Sequence, residues 1–111
     1  MKLSDIKGEA VFDVIADLTE PVANIAADKD ASSLFEYQAV PKGVEQRDFV
    51  IARLKRALPK LMRNHKHDLV AILATLKGVE AEEYLEGLTM ATLFNDVVEL
   101  MNDEEFVAFL S

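Results

Sequence analysis

The two histidines, His65 and His67, are the side chains of this sequence best suited to metal coordination or proton transfer. Helical metal sites usually place their ligands three or four residues apart, because those positions share one face of the helix. His65 and His67 are two residues apart, so a helix would direct them to different sides, and no cysteine is available to complete a site. We therefore interpret residues 64–68 as a junction between helices with solvated, capping side chains, and we predict neither a metal nor another cofactor.

Two clusters of carboxylates have the residue types for acid–base chemistry or cation binding. Their members are Glu80, Glu82, Glu83 and Glu86 in the first cluster and Asp103, Glu104 and Glu105 in the second. Acid–base catalysis needs partly buried carboxyls with a perturbed pKa, whereas acids in the first turns of exposed helices are usually solvated and stabilise the helix dipole. The glycines are scattered and form no phosphate-binding loop, and no serine lies in a nucleophile motif. We expect no catalytic residues and no enzymatic activity.

Charge is sorted along the chain. Residues 42–67 carry eight Lys/Arg against two Asp/Glu, whereas residues 1–41 carry three against eight and residues 68–111 carry one against ten. A chain of net charge −8 therefore contains one basic band, residues 42–67, between two acidic segments. Such sorting predicts that the band pairs with acidic helices of the same chain or of another copy. The cations that we expect to support self-association are Arg47, Arg53, Arg56, Lys60 and Arg63.

The same basic band leaves a second interpretation open, a small DNA-binding regulator that uses residues 47–66. Its cations alternate with a full apolar stripe, however, which a helix with one buried face explains equally well. The short turn and the polar base-reading helix of a helix-turn-helix are missing. The net negative charge also disfavours nucleic acid or an anionic membrane as the main partner.

Apolar residues also occur in two segments that often fray, the connection before the basic band and the end of the chain. These residues are Phe35, Tyr37 and Val40 in the connection and Phe106, Phe109 and Leu110 at the end. In one interpretation they cover the core. In the other they form a groove or hook that binds a helical partner or a neighbouring subunit.

The 111 residues, half of them apolar, have the size and composition of one folded domain with a single core. The absence of cysteine fits a reducing compartment. Charged residues follow directly after Met1, so we predict no signal peptide, and no apolar run approaches the ~20 residues that cross a bilayer. We expect a soluble, all-α domain of about six to eight short helices.

The apolar periodicity of the N-terminal half predicts a helix over residues 6–18. Pro21 predicts a break there and a restart into a short helix that ends near residues 28–30. A less regular connection follows at about 29–45, in which Ser33 caps a single turn and residues 38–45 form a loop, with a short strand over 35–40 as a minor alternative. An amphipathic basic helix then begins at Gln46, and Pro59 predicts a kink or break in it near residues 57–58.

The C-terminal half contains the most hydrophobic segment. Residues 69–76 are apolar nearly all round, which predicts a central buried helix, and Gly78 is placed to end it. A short acidic helix before Gly87 and another that begins at Thr89 or Asn95 follow. For the last helix we assign the N-cap to Asn102, with Glu105 three residues later completing a capping box.

Several stretches resemble the tail assembly chaperones of long-tailed phages and prophages of Gram-positive hosts. The likeness covers most of the chain and is one of pattern, since these proteins share no catalytic signature. Its stretches are LSDIKG (3–8), DVIADL (13–18), EP (20–21), RLK to LP and Leu61 (53–61), NHK and DLVAIL (64–73), and DVVEL through DEE to Phe109 (96–109).

The resemblance implies a cytoplasmic, non-enzymatic protein that binds the long helical tape-measure protein and keeps it soluble. It also implies help for tail-tube subunits that polymerise around the tape measure, and absence from the finished virion. In many relatives a programmed frameshift yields a longer product that recruits the tube protein. We expect self-association as well, and we keep a structural head–tail connector subunit as a further alternative.

Overall fold

The computed structural model describes residues 3–36 and 39–110, and these residues form an all-α fold that contains no strand. The seven α-helices within them are α1 (Ala10–Ala26), α2 (Lys29–Ser32), α3 (Gln46–Asn64), α4 (Lys66–Lys77), α5 (Ala81–Glu86), α6 (Met90–Met101) and α7 (Glu104–Leu110). Two 3-10 helices span Leu3–Asp5 and Ser33–Phe35. The predicted fold class is confirmed.

Helix α4 lies at the centre of the core, as its sequence predicts. Its buried residues are Leu69, Val70, Ile72, Leu73, Ala74 and Leu76. Gly78 ends the helix in the left-handed region, with φ of 71°, and the Val79 N–H then donates to the Ala74 carbonyl at 3.0 Å. Only glycine adopts this conformation without strain. The end of α4 is therefore determined locally, and the predicted end at Gly78 is confirmed.

Helix α1 packs along α4 and is continuous through Pro21, so the predicted break is wrong. A proline inside a helix costs about 3 kcal/mol. On either side of Pro21, however, Leu18, Val22 and Ile25 are buried, and each such side chain contributes roughly 1.5–3 kcal/mol. Pro21 has no N–H to donate to the carbonyl of Asp17, which is an exposed residue.

Helix α3 is likewise uninterrupted at Pro59, so no break occurs near residues 57–58. Pro59 itself is exposed, whereas Ala57 and Leu61 on the opposite face are buried. These are the only fully buried residues of this 19-residue helix, and both lie in its C-terminal half. The N-terminal half therefore extends beyond the core with its apolar side chains only partly covered.

The connection between α1 and α3 is more ordered than predicted at its start. Asp28, rather than Ser33, caps a helix there, since its Oδ1 accepts hydrogen bonds from the backbone N–H groups of Asp30 and Ala31. Residues 31–35 are buried in α2 and the following 3-10 helix. Residues 39–45 contain no helix, in agreement with the predicted loop; Tyr37 and Gln38 lie outside the described residues.

The caps of the last two helices show how closely the sequence locates helix starts. Thr89 caps α6 through a reciprocal capping box with Thr92, one of the two predicted starts. For α7 the assignment to Asn102 is wrong by one residue. The cap is Asp103, whose Oδ1 accepts hydrogen bonds from the backbone N–H groups of Glu105 and Phe106 at 3.1 and 3.2 Å. Its other oxygen, Oδ2, accepts from the Leu3 N–H at 2.8 Å and so ties the N-terminal 3-10 helix to α7.

Among the described residues, no helix combines the length and the hydrophobicity required to cross a bilayer.

Candidate functional site

An open groove of about 540 Å³ lies between the N-terminal half of α3 and the corner formed by α6 and α7. Its surface is mainly apolar. The apolar lining comes from Leu34, Phe35, Val50, Met101, Val107 and Ala108, and the polar lining from Glu36, Arg53, Asn102 and Glu104. Such a groove suits the apolar side chains of one helical face better than a small polar ligand, which needs convergent polar groups.

Helix α3 forms one wall of this groove. Val50 lines it and is 37 % exposed, while its neighbour Ile51 is 39 % exposed and lies outside it. No residue of the N-terminal half of α3 is buried, although its apolar stripe continues that of the C-terminal half. The wall therefore presents an amphipathic helix whose apolar side has found no complete partner within the described chain.

Arg53 fixes α3 to the floor of the groove. Its guanidinium donates from Nε to the Ser33 carbonyl and from Nη2 to the Leu34 carbonyl, both at 2.9 Å, and also to the carbonyl of Glu36. Burial lowers the pKa of Arg53 from its usual value, and the neighbouring Arg56 lowers it further, while Glu36 opposes the change. Arg53 stays charged and satisfies carbonyls at the end of a 3-10 helix.

This contact corrects the set of cations expected to support self-association. Arg53 serves the interior of its own chain, and Lys60 pairs with Asp30 at 3.2 Å. Arg47, Arg56 and Arg63 are exposed and form no ion pair within residues 3–36 and 39–110. Part of the basic band therefore pairs within the chain and part of it faces solvent.

The predicted partner-binding residues divide in the same way. Phe35 and Phe106 are buried and form an edge-to-face pair with ring centroids 5.3 Å apart, and Leu110 is buried beside them. For these three the core-covering interpretation holds, and they cannot form an exposed hook in this conformation. Val40 and Phe109 are exposed, and Tyr37 lies outside the described residues.

Phe109 lines a second, smaller groove of about 200 Å³ between α1, α7 and the N-terminal 3-10 helix. Its other apolar walls come from Leu3, Ile6, Val11, Val14, Ile15 and Leu18. A third apolar surface is a stripe on α6, where Met90, Phe94 and Val98 follow one another at four-residue steps and are all exposed. Residues at this spacing share one helical face, so several apolar surfaces remain uncovered in a single copy.

The interpretation of residues 64–68 as a solvated junction is wrong for His65. The imidazole is mostly buried, with Nε2 2.8 Å from Asp28 Oδ2 and Nδ1 3.1 Å from Asp68 Oδ2. Asn24 donates from Nδ2 to the remaining oxygen of Asp68 at 3.0 Å. The cluster joins the ends of α1 and α3 to the starts of α2 and α4. Across the described part of the chain, no group of three or more His, Asp or Glu side chains is arranged to hold a metal ion.

A second buried polar cluster joins α4, α5 and α6. Asp96 accepts a hydrogen bond from the Tyr84 hydroxyl at 2.7 Å, and Lys77 Nζ lies 3.2 Å from its other oxygen. Burial raises the pKa of Tyr84 far above its usual value, and the adjacent carboxylate raises it further. The tyrosine stays protonated and donates to Asp96, so this arrangement fixes the three helices.

No protein-family model, no curated protein and no solved structure matches the chain.

Proposed function

We propose that this protein is a non-enzymatic tail assembly chaperone of a tailed phage or prophage. It binds the long helical tape-measure protein in the host cytoplasm, keeps it soluble and assists the tail-tube subunits that assemble around it. The observation that supports this proposal is the apolar groove beside α3, which stays open in the single chain. The sequence resemblance set out above supplies the identity of the partner.

The groove has the properties that binding of an apolar helix requires. Its floor of Leu34 and Phe35 is rigid, because Arg53 holds the backbone and the Phe35 ring packs on Phe106. Its wall at Val50 is exposed and ready to be covered. An amphipathic helix that lays its apolar face into such a groove binds through side chains three or four residues apart.

A chaperone must also release its client, and the structure fits weak contacts better than one deep site. The groove is open, and the α6 stripe of Met90, Phe94 and Val98 is exposed as well. Several weak contacts along a long helix raise the overall affinity while each contact still exchanges. Each copy would cover a short length of the tape measure and could be displaced by tube subunits.

Co-expression with a tagged helical fragment of the tape-measure protein from the same genome tests the proposal. We expect the fragment to be soluble only with this protein and to co-purify with it. Val50→Glu places a charge in the groove and should weaken the complex at least tenfold, as for loss of a central apolar anchor (roughly 2 kcal/mol).

Ile51→Glu is the matched control, because the two residues are adjacent, equally exposed and differ in whether they line the groove. We expect Ile51→Glu to bind the fragment almost as the unmodified chain does. A fragment that is insoluble with or without this chain, or equal losses from both substitutions, would contradict the groove as the binding site.

A further inference from the structure

Helix α1 carries an exposed apolar face that is flanked by acids. Phe12 is 76 % exposed, and Ala16 and Ala23 continue its row along the helix, also exposed. Beside this row lie Asp13, Asp17 and Glu20, all exposed and without an ion-pair partner in the described part of the chain. An apolar row next to three carboxylates favours a partner helix that is both apolar and cationic.

Helix α3 provides such a surface on the side that faces away from the core. Arg56 and Arg63 are exposed there and have no acidic partner among the described residues. The small residue Ala52 and the ring of Pro59 lie next to them on the helix, and Lys55 flanks this pair on the other side. The surface has cations at its edges and only small side chains in its middle. This leaves room for a large side chain such as Phe12.

The two charged surfaces do not neutralise each other within one molecule. Helix α1 packs on α4, α2 and α7, whereas α3 packs on α2, the second 3-10 helix and α4. No ion pair joins an acid of α1 to a cation of α3 within residues 3–36 and 39–110. The acids of α1 and the cations of α3 therefore remain available for a contact between molecules.

The spacing of the charged residues makes a contact between these two helices specific. Asp13 and Glu20 are seven residues apart, and so are Arg56 and Arg63, which corresponds to two helical turns or about 10.5 Å in each case. Two helices packed side by side bring both pairs together at once. We propose that α3 of one copy docks on the exposed face of α1 of a second copy, with Arg56 and Arg63 opposite Glu20 and Asp13.

This contact joins different surfaces of the two copies, so the copy that supplies α3 keeps a free α1 face, the other keeps a free α3 face, and further copies can add. It also leaves the groove open. Val50 and Arg56 are six positions apart, which places them about 120° apart around the helix. The inference does not depend on the identity of the groove's ligand, and it is tested with the purified chain alone.

The experiment is sedimentation velocity over a concentration series at low salt. We expect the unmodified chain to associate, and we expect Arg56→Glu/Arg63→Glu and Asp13→Lys/Glu20→Lys each to weaken association roughly tenfold. An equimolar mixture of the two variants should associate again, because each then offers a complementary face to the other. Both variants keep a net negative charge, so general attraction does not explain a recovery.

Lys42→Glu/Lys66→Glu is the control, since it changes the net charge by the same amount at exposed positions outside both faces. It should associate as the unmodified chain does. A chain that stays monomeric at low salt, association that none of these substitutions alters, or variants that do not recover on mixing would overturn the proposal. The proposal would also be overturned if Arg56→Glu/Arg63→Glu abolished binding to a DNA duplex but left self-association intact. The cationic face would then be a nucleic-acid surface.

Discussion

The imidazole of His65 lies between Asp28 and Asp68, with a carboxylate oxygen within 3.1 Å of each ring nitrogen. An ionised carboxylate only accepts hydrogen bonds, so both ring nitrogens have to donate and the ring carries a positive charge. Burial lowers the pKa of His65, but the hydrogen bonds and charges of the two carboxylates outweigh it and raise the pKa above the usual 6.5. The hydrogen bond to His65 is also the main reason that the pKa of Asp28 is lowered below 3.8.

These shifts predict the pH dependence of stability. A raised histidine pKa contributes stability that is complete below 6.5 and is lost as pH rises through the higher folded-state value. The lowered pKa of Asp28 contributes stability that is complete above 3.8 and is lost as pH falls through the lower folded-state value. Urea midpoints of the unmodified chain should therefore decline as pH rises above 6.5.

The substitution His65→Gln should remove that decline while lowering stability at acidic pH. His67 is exposed and has no such partners, so His67→Gln serves as the control and should retain the decline. It also leaves a single imidazole whose titration can be followed by NMR. A decline that persists in His65→Gln would show that another group is responsible.

Arg53 and Arg56 are neighbouring cations with different roles. Arg53 donates to three backbone carbonyls, whereas Arg56 is exposed and forms no ion pair among the described residues. We expect Arg53→Ala to lower the free energy of unfolding by about 2 kcal/mol, because it leaves partly buried carbonyls without donors. Arg56→Ala should change it by less than about 0.5 kcal/mol. Chemical denaturation of both variants measures the difference, and equal effects would contradict the anchoring role of Arg53.

At the scale of helices, local signals are predictable from sequence and long-range ones are not. Gly78 ends α4 because a left-handed residue is needed there, and Thr89 caps α6 through a residue three positions away. The breaks expected at Pro21 and Pro59 do not occur, because burial of side chains around each proline outweighs its local cost. That burial depends on packing partners, mainly α4 for α1 and α2 for α3, which no local pattern reveals.

The candidate groove shows the same limit. The stripe of apolar residues in α3 is visible in the sequence, but its period does not reveal that only the C-terminal half is buried. Met101 and Val107 line the groove from two other helices, and no spacing rule brings them to Val50. One signal of the exposed surface was available in the sequence, the apolar period of α6. Phe94 and Val98 make its apolar stripe wider than burial against the core requires.

The start of α7 allows a direct test of a local signal. The sequence pattern predicts a cap at Asn102, whereas in the structure Asp103 is the cap and accepts hydrogen bonds from Glu105, Phe106 and Leu3. We expect Asp103→Ala to destabilise the protein by about 1–2 kcal/mol, since it removes both a helix cap and a contact between distant segments. Asn102→Ala should cost much less. Thermal unfolding of the two variants decides between them, and a larger loss from Asn102→Ala would restore the original assignment.

At the scale of the whole molecule, charge and apolar surface are distributed over different faces. The chain measures 46 × 28 × 23 Å and carries a net charge of −8. Helix α3 nevertheless has cations on its outer side that form no ion pair among the described residues, and an apolar wall on its inner side. The outer side suits another copy of the chain and the inner side an apolar helix. Two kinds of contact with different physical origins can thus occur on one helix.

Salt should separate these two contacts. The Debye length is about 10 Å at 0.1 M salt and about 3 Å at 1 M, so exposed charge pairs weaken strongly over that range. Burial of apolar surface does not depend on such screening. We expect sedimentation of the free chain to shift to the monomer at about 1 M NaCl, while a helical tape-measure fragment remains bound to each monomer. Loss of both at the same salt concentration would mean that the fragment is held by charge or by the assembled copies, and the groove would then not be its binding site.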